Sequence, residues 1–228
     1  MPRTTGARVT RPTRPYSPTP AEFDRWTATI DTRRAAEKTS REKALIEALL
    51  AHPDSRHVID LETTFPGGGA RRIDLMTLEM VDGRPTVIAG EVKTYDDGRM
   101  RRNAEAWLTE DGKPEIFKQR KLYRHNIAAN REAMATQYAI AAMQMIRLAD
   151  AAGIDWDVPE AFRAAAEEGT VAVDPELRLI VVGESREARN YASWPPHRKR
   201  LIDAGFCGVE LVEGQGLGQL STVTAWSE

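Results

Sequence analysis

The sequence predicts an α/β protein in which helices flank a mixed sheet, an antiparallel three-strand meander extended by crossover strands. Two observations carry this. Three strand-like stretches follow one another at 57–65, 71–81 and 84–93, separated only by the turn signals PGGG and Asp82-Gly83, which is the pattern of a meander. Two further apolar stretches, LRLIVVGE at 177–184 and CGVELVE at 207–213, are each reached through a helical segment, which is the pattern of a crossover to a parallel neighbour.

Taken in order, residues 1–20 are rich in Pro, Thr and Arg, carry Arg3, Arg8, Arg11 and Arg14 without an acid, and read as a disordered basic arm. Residues 21–228 then form a single domain. A helical pattern runs to about Leu50, with Ser40 and Arg41 marking a break or a second start. The three meander strands follow. Residues 114–152 are helical; at about 1.5 Å per residue such a helix would exceed 50 Å, so a kink or break after residue 128 is expected. A short helix near 159–168 precedes the fourth strand. Residues 185–205 read as helical with an interruption at Pro195-Pro196, before the last strand.

Composition narrows the function. The 228 residues hold one cysteine, Cys207, which excludes an intrachain disulfide framework, and four histidines without ligand-like spacing, which argues against a structural zinc site. No apolar stretch approaches membrane-spanning length and the N-terminal residues lack an apolar signal core, so a soluble, unsecreted, cytoplasmic protein without a membrane partner is the expectation. The net charge is only −2, yet bases gather in GRMRR, KQRKLYRH and HRKR while acids gather in 155–176, which permits a basic groove with an acidic back. Ordinary solvated helix faces would give the same clusters.

The chemistry centres on a hairpin. Asp82-Gly83 suits a two-residue type I′ turn, because both positions accept positive φ. That register sets Asp74 directly opposite Glu91, on one face, in a non-hydrogen-bonded pair where side chains approach most closely. Behind Asp74 the same face carries Met76, Leu78 and Met80, and behind Glu91 it carries Ala89, Val87 and Pro85, so the acids end an apolar face. Opposed like charges need something positive between them. A divalent cation fits, since two carboxylates offer the hard oxygens that Mg²⁺ prefers. Lys93 projects from the same face, and Arg72, its cross-strand neighbour, is the alternative that would neutralise the cluster without a metal.

Two helices aim polar groups inward. Glu42 shares the stripe of Leu45, Ile46 and Leu49, whereas Glu47 lies about 140° away. Glu42 is either delivered to the site or complements the helix dipole. On the long helix, Gln119 sits one turn before Tyr123 on the stripe of Ile116, Ile127 and Met134, with Lys118, Lys121 and Arg124 flanking for phosphate contacts. Tyr123 as plain core is the ordinary reading of that pattern.

RRIDL, then IAGEVK, then QRKLY, after a helix with an inward glutamate, resembles the PD-(D/E)XK nuclease superfamily over residues 40–125. The resemblance implies a restriction-endonuclease-like fold and a Mg²⁺- or Mn²⁺-dependent deoxyribonuclease. By position it implies that Asp74, Glu91 and the Val92 carbonyl bind metal, that Lys93 orients water or stabilises phosphate charge, and that Glu42 is the helix glutamate of the catalytic set. Gln119 and Tyr123 resemble the Gln-x-x-x-Tyr element of the RecB-like branch. With Lys118, Lys121, Arg101 and Arg102 they form the expected nucleic-acid contacts. DNA is the expected partner, and a domain of this size leaves room for a homodimer or a protein partner in cutting both strands. The rival is a non-catalytic nucleic-acid-binding or assembly module that keeps the fold.

Overall fold

The computed structural model describes residues 41–65, 72–95, 97, 100, 114–183, 194–212 and 215–222, all within one unit, Arg41–Glu228. The expected basic arm at 1–20, the PGGG turn, Arg101 and Arg102 lie outside the described residues.

The sheet is the expected one. Strands β1 (Val58–Thr63), β2 (Ile73–Val81) and β3 (Arg84–Thr94) are antiparallel neighbours, and β4 (Ala172–Gly183) and β5 (Cys207–Val212) continue the sheet in parallel, in the order β1-β2-β3-β4-β5. Helix α1 (Arg41–Leu50) precedes it, α2 (Glu115–Ala152) and α3 (Glu160–Glu168) connect β3 to β4, and α4 (Trp194–Asp203) precedes β5. The β2–β3 turn has φ 49° at Asp82 and φ 74° at Gly83, the left-handed geometry that an Asp-Gly type I′ turn supplies at little cost. Every ladder pair from Val81–Arg84 to Leu75–Gly90 then keeps the register that the turn dictates.

One expectation about a helix is corrected. Helix α2 runs unbroken through 38 residues, about 57 Å. It contains neither Pro nor Gly and is rich in alanine, so nothing in its backbone chemistry interrupts it. It ends where Gly153 takes a left-handed φ of 64° and returns its N–H to the last turn. The helical stretch expected before Pro195-Pro196, over 185–193, lies outside the described residues. Both prolines sit in the first turn of α4, where the missing N–H groups have no intrahelical acceptor to lose.

The layers follow from alternation along the strands. On one face, Met76, Leu78, Val87 and Ala89 pack under Tyr123, Ile127 and Met134 of α2 and Phe162 of α3. Leu179 and Val181 continue that face under Ile116 of α2 and Trp194 and Leu201 of α4. The other face buries Leu75, Ile88, Val92 and Ile180 against Leu45 and Leu49 of α1 and the C-terminal Leu217 and Leu220. Gly90 leaves room for this packing. A Cβ there would stand 2.7 Å from the Leu75 side chain and 2.9 Å from that of Ile180.

A buried carboxylate fastens the C-terminal residues to the sheet. Glu79 on β2, 2% exposed, accepts the backbone N–H groups of Leu220 (2.9 Å) and Ser221 (2.7 Å) and the hydroxyl of Thr77 (2.6 Å). His57 Nε2 lies 3.7 Å from Glu79 Oε1, and burial holds the imidazole below its ordinary pKa, an effect that Glu79 opposes and Arg56 adds to. None of the helices among the described residues is long and apolar enough to cross a membrane.

Two predictions follow from this packing. Gly90→Val overpacks the Leu75–Ile180 contact and should cost about 1–3 kcal/mol in urea unfolding, with Gly90→Ala costing less. Because His57 is held neutral in the fold, the unfolded chain protonates first as pH falls through about 6.5, and its contribution to stability declines with acid. The loss of urea stability between about pH 7 and pH 5 should therefore be shallower in His57→Gln than in the parent protein. Equal slopes would remove His57 as the cause.

Candidate metal centre on the β2–β3 hairpin

The site forms where β2 and β3 part. Their ladder ends at Leu75–Gly90, and the same register continued by one position sets Asp74 opposite Glu91. Beyond that point β2 still pairs with β1 through Ile73–Thr63, while β3 pairs with β4 through Glu91–Leu179 and Lys93–Val181. The Val92 N–H, which points toward β2, is taken by the Asp74 carboxylate at 2.7 Å. A side chain thus replaces a main-chain carbonyl at the mouth of the split, and it holds Asp74 in a single orientation.

Lys93 closes the cluster. Its side chain is fully buried, and Nζ lies 2.5 Å from Glu91 Oε1, 2.8 Å from the Val92 carbonyl oxygen and 3.6 Å from Asp74 Oδ2. Glu91 is almost as buried, whereas the Asp74 side chain keeps 20% exposure. Moving one such ion out of water costs on the order of several kcal/mol, so an ammonium and a carboxylate are tolerated here only as partners. The three oxygens that face Lys93 are two carboxylates and one main-chain carbonyl. That donor set also suits a hard divalent cation retaining some of its water, so the residues fit the expected metal. No group of three or more His, Cys, Asp or Glu side chains is gathered among the described residues, and a cation here would rest on this two-carboxylate set.

Arg72 does not neutralise the cluster. Its guanidinium pairs with Glu62 at 2.7 Å on the exposed side of β1, near a left-handed φ of 52° at Glu62. Its carbonyl instead accepts the Tyr123 hydroxyl at 2.6 Å. Tyr123 is 1% exposed, so the long helix is tied to the main chain two residues before Asp74. One turn earlier, Gln119 is 6% exposed and its side-chain oxygen has no hydrogen-bond partner among the described residues. Gln119 lies on the buried stripe of α2 between Ile116, which shares a core cluster with Leu179 and Val181, and Tyr123, which shares one with Ala89.

The remaining expected residues are placed less directly. Lys118 and Lys121 are exposed, and Lys121, two residues from both Gln119 and Tyr123, projects from the far side of α2. Arg124 is engaged by Glu176 at 3.1 Å. Its neighbour Arg120 reaches Glu176, the carbonyls of Ala204 and Gly205, and the face of Phe206, and so fastens α2 to the turn before β5. Helix α1 brings Leu45 and Leu49 to the face opposite Asp74 and Glu91; Glu42 lies in its first turn, and its side chain is outside what the structure describes.

Sequence reasoning missed three contacts: the Val92 N–H on Asp74, the Tyr123 hydroxyl on the Arg72 carbonyl, and the Glu79 clamp. The first two involve main-chain atoms, which no residue pattern advertises. Glu79 did leave a signal, since it is a carboxylate in a strand on the face of Leu75 and Thr77.

No protein-family model matches the chain, and no curated protein or solved structure is significantly similar to it.

Tyr123→Phe should leave the Arg72 carbonyl without its buried donor and cost about 1–3 kcal/mol in denaturant unfolding. A loss below about 0.5 kcal/mol would mean that the hydroxyl does not hold β2 to α2.

Proposed function

We propose that this chain is a metal-dependent nuclease of the PD-(D/E)XK type on a restriction-endonuclease-like fold, hydrolysing phosphodiester bonds in DNA. The observation that carries the reading is the convergence of Asp74 Oδ2, Glu91 Oε1 and the Val92 carbonyl oxygen on one point, marked by Lys93 Nζ. The residues come from two adjacent strands and end an apolar face, so the cluster is partly shielded from water, where charge acts most strongly.

Asp74, Glu91 and the Val92 carbonyl would hold Mg²⁺ or Mn²⁺. When bound, such an ion supplies Lewis acidity toward a phosphate oxygen and lowers the pKa of a coordinated water. The Val92 N–H fixes Asp74, so this ligand needs no reorganisation during the reaction. Lys93 supplies positive charge where the phosphoryl oxygens accumulate negative charge. Gln119 offers a buried, unengaged amide oxygen on the sheet-facing stripe of α2, in keeping with a substrate contact, while the Tyr123 hydroxyl is spent on positioning β2. The exposed Lys118 adds positive charge on α2 for the nucleic-acid backbone, whereas Lys121 projects from the far side of the helix.

A second reading has its own support. The Lys93 ammonium already balances the carboxylates, so the cluster can persist in a non-catalytic nucleic-acid-binding module. A divalent-metal thermal shift separates the two: a shift that vanishes in Asp74→Ala belongs to the enzyme, and no shift in the parent protein belongs to the module.

Incubation with circular single-stranded, circular duplex and linear DNA and with RNA, each with Mg²⁺ or Mn²⁺, should give metal-dependent cleavage of DNA. Asp74→Asn, Glu91→Gln and Lys93→Met should each lower the rate by about 10²-fold or more; Lys93→Met, which takes the ammonium from buried Glu91, should also lower stability toward urea, so its rate is read under conditions where circular dichroism shows the fold retained. Gln119→Leu should keep the fold and weaken cleavage through KM. Undiminished cleavage in all three charge variants would refute the assignment.

A further inference from the structure

We propose that Lys93 is the resident counter-ion of the metal centre, holding the ligand oxygens together until a divalent cation arrives and then swinging out of the ligand cage toward the substrate. The inference rests on the nuclease reading only for the metal. It assigns to Lys93 a state in the metal-free protein as well as one in the loaded protein.

The ammonium bonds Glu91 Oε1 at 2.5 Å and the Val92 carbonyl at 2.8 Å, with Asp74 Oδ2 at 3.6 Å, so it lies among the same three oxygens that would coordinate metal. A divalent cation at that point and an ammonium among those oxygens would be like charges a few ångströms apart, and the two cannot share the cage. One of them must leave. The ligands are not free to follow the lysine: Asp74 is pinned by the Val92 N–H at 2.7 Å, and the Val92 carbonyl belongs to a strand paired to β4.

The lysine is the element that can move. Its flexible four-carbon stem lets the ammonium change place while Cα stays in the sheet. The way out is on the Asp74 side, because Asp74 keeps 20% exposure whereas Glu91 keeps 2%. The exchange also keeps a cation beside the buried Glu91 carboxylate in both states, the ammonium at 2.5 Å before metal enters and the metal afterwards. It further orders events. The positive charge available to a phosphate appears at the mouth of the site only after metal has entered, so metal loading should precede productive substrate binding.

The test reads the accessibility of a single amine. A brief pulse of acetic anhydride or reductive methylation, followed by peptide mass mapping, is applied to the parent protein in EDTA and again with saturating Mn²⁺, with binding followed in parallel by calorimetry. Lys93 should be protected in EDTA and be modified at least about tenfold faster with Mn²⁺. The exposed Lys118 and Lys121 should label equally in both conditions, and Asp74→Asn should abolish the response at Lys93. If Mn²⁺ binds in a manner that depends on Asp74 while Lys93 stays protected, the counter-ion proposal falls and the metal site stands. If calorimetry detects no Mn²⁺ binding, both fall together.

Discussion

Two carboxylates opposed at the end of a buried sheet face repel each other, and the chain has to satisfy them before β2 and β3 can close. The Lys93 ammonium, within 2.5 Å of Glu91 and 3.6 Å of Asp74, is the charge that permits it. Much else is arranged around that point. The ladder between β2 and β3 stops one position short of it, the Val92 N–H turns to Asp74, and the long helix is tied by Tyr123 to the residue next to Ile73. A hydrophobic pair at the two carboxylate positions would let the strands zip further at lower cost. The sequence keeps charge there, and that retention is what motivates the proposed metal centre.

The fold was legible where local chemistry determines it. The Asp82-Gly83 turn fixes the hairpin register by itself, and the register fixes which side chains share a face, so the juxtaposition of Asp74, Glu91 and Lys93 could be read without tertiary information. The parallel strands were legible as apolar runs reached through helices. The expected break in the long helix was inferred from its length alone. A long helix breaks only where composition or packing breaks it, and α2 has neither Pro nor Gly between its ends.

The site was legible in its side chains and not in its main chain. Lys93 could be placed near the carboxylates from alternation, but its bond to the Val92 carbonyl depends on how β3 leaves β2 and joins β4. Arg72 was an equally good candidate for neutralising the cluster on sequence grounds. Its choice of Glu62 follows from the geometry of β1, with a positive φ at Glu62 that no residue pattern indicates. The basic residues of α2 divide similarly: Arg120 and Arg124 are drawn to Glu176, which sits on the irregular stretch of β4 between Val173 and Leu177, and that irregularity was invisible before the strands were paired.

The five strands also differ in how far the chain must travel to form them. Closing β2 on β3 requires only a two-residue turn, whereas closing β3 on β4 must wait for the whole of α2 and α3. Loop-closure entropy grows with the length enclosed, and non-local pairings form late for that reason. The carboxylate pair is therefore a product of the most local contact in the sheet, and its roof is a product of one of the least local. The two-residue turn sets the register that leads to Asp74 and Glu91, whereas Lys93 lies on the stretch of β3 that pairs only with β4, so the carboxylates and their cation belong to contacts of very different sequence separation.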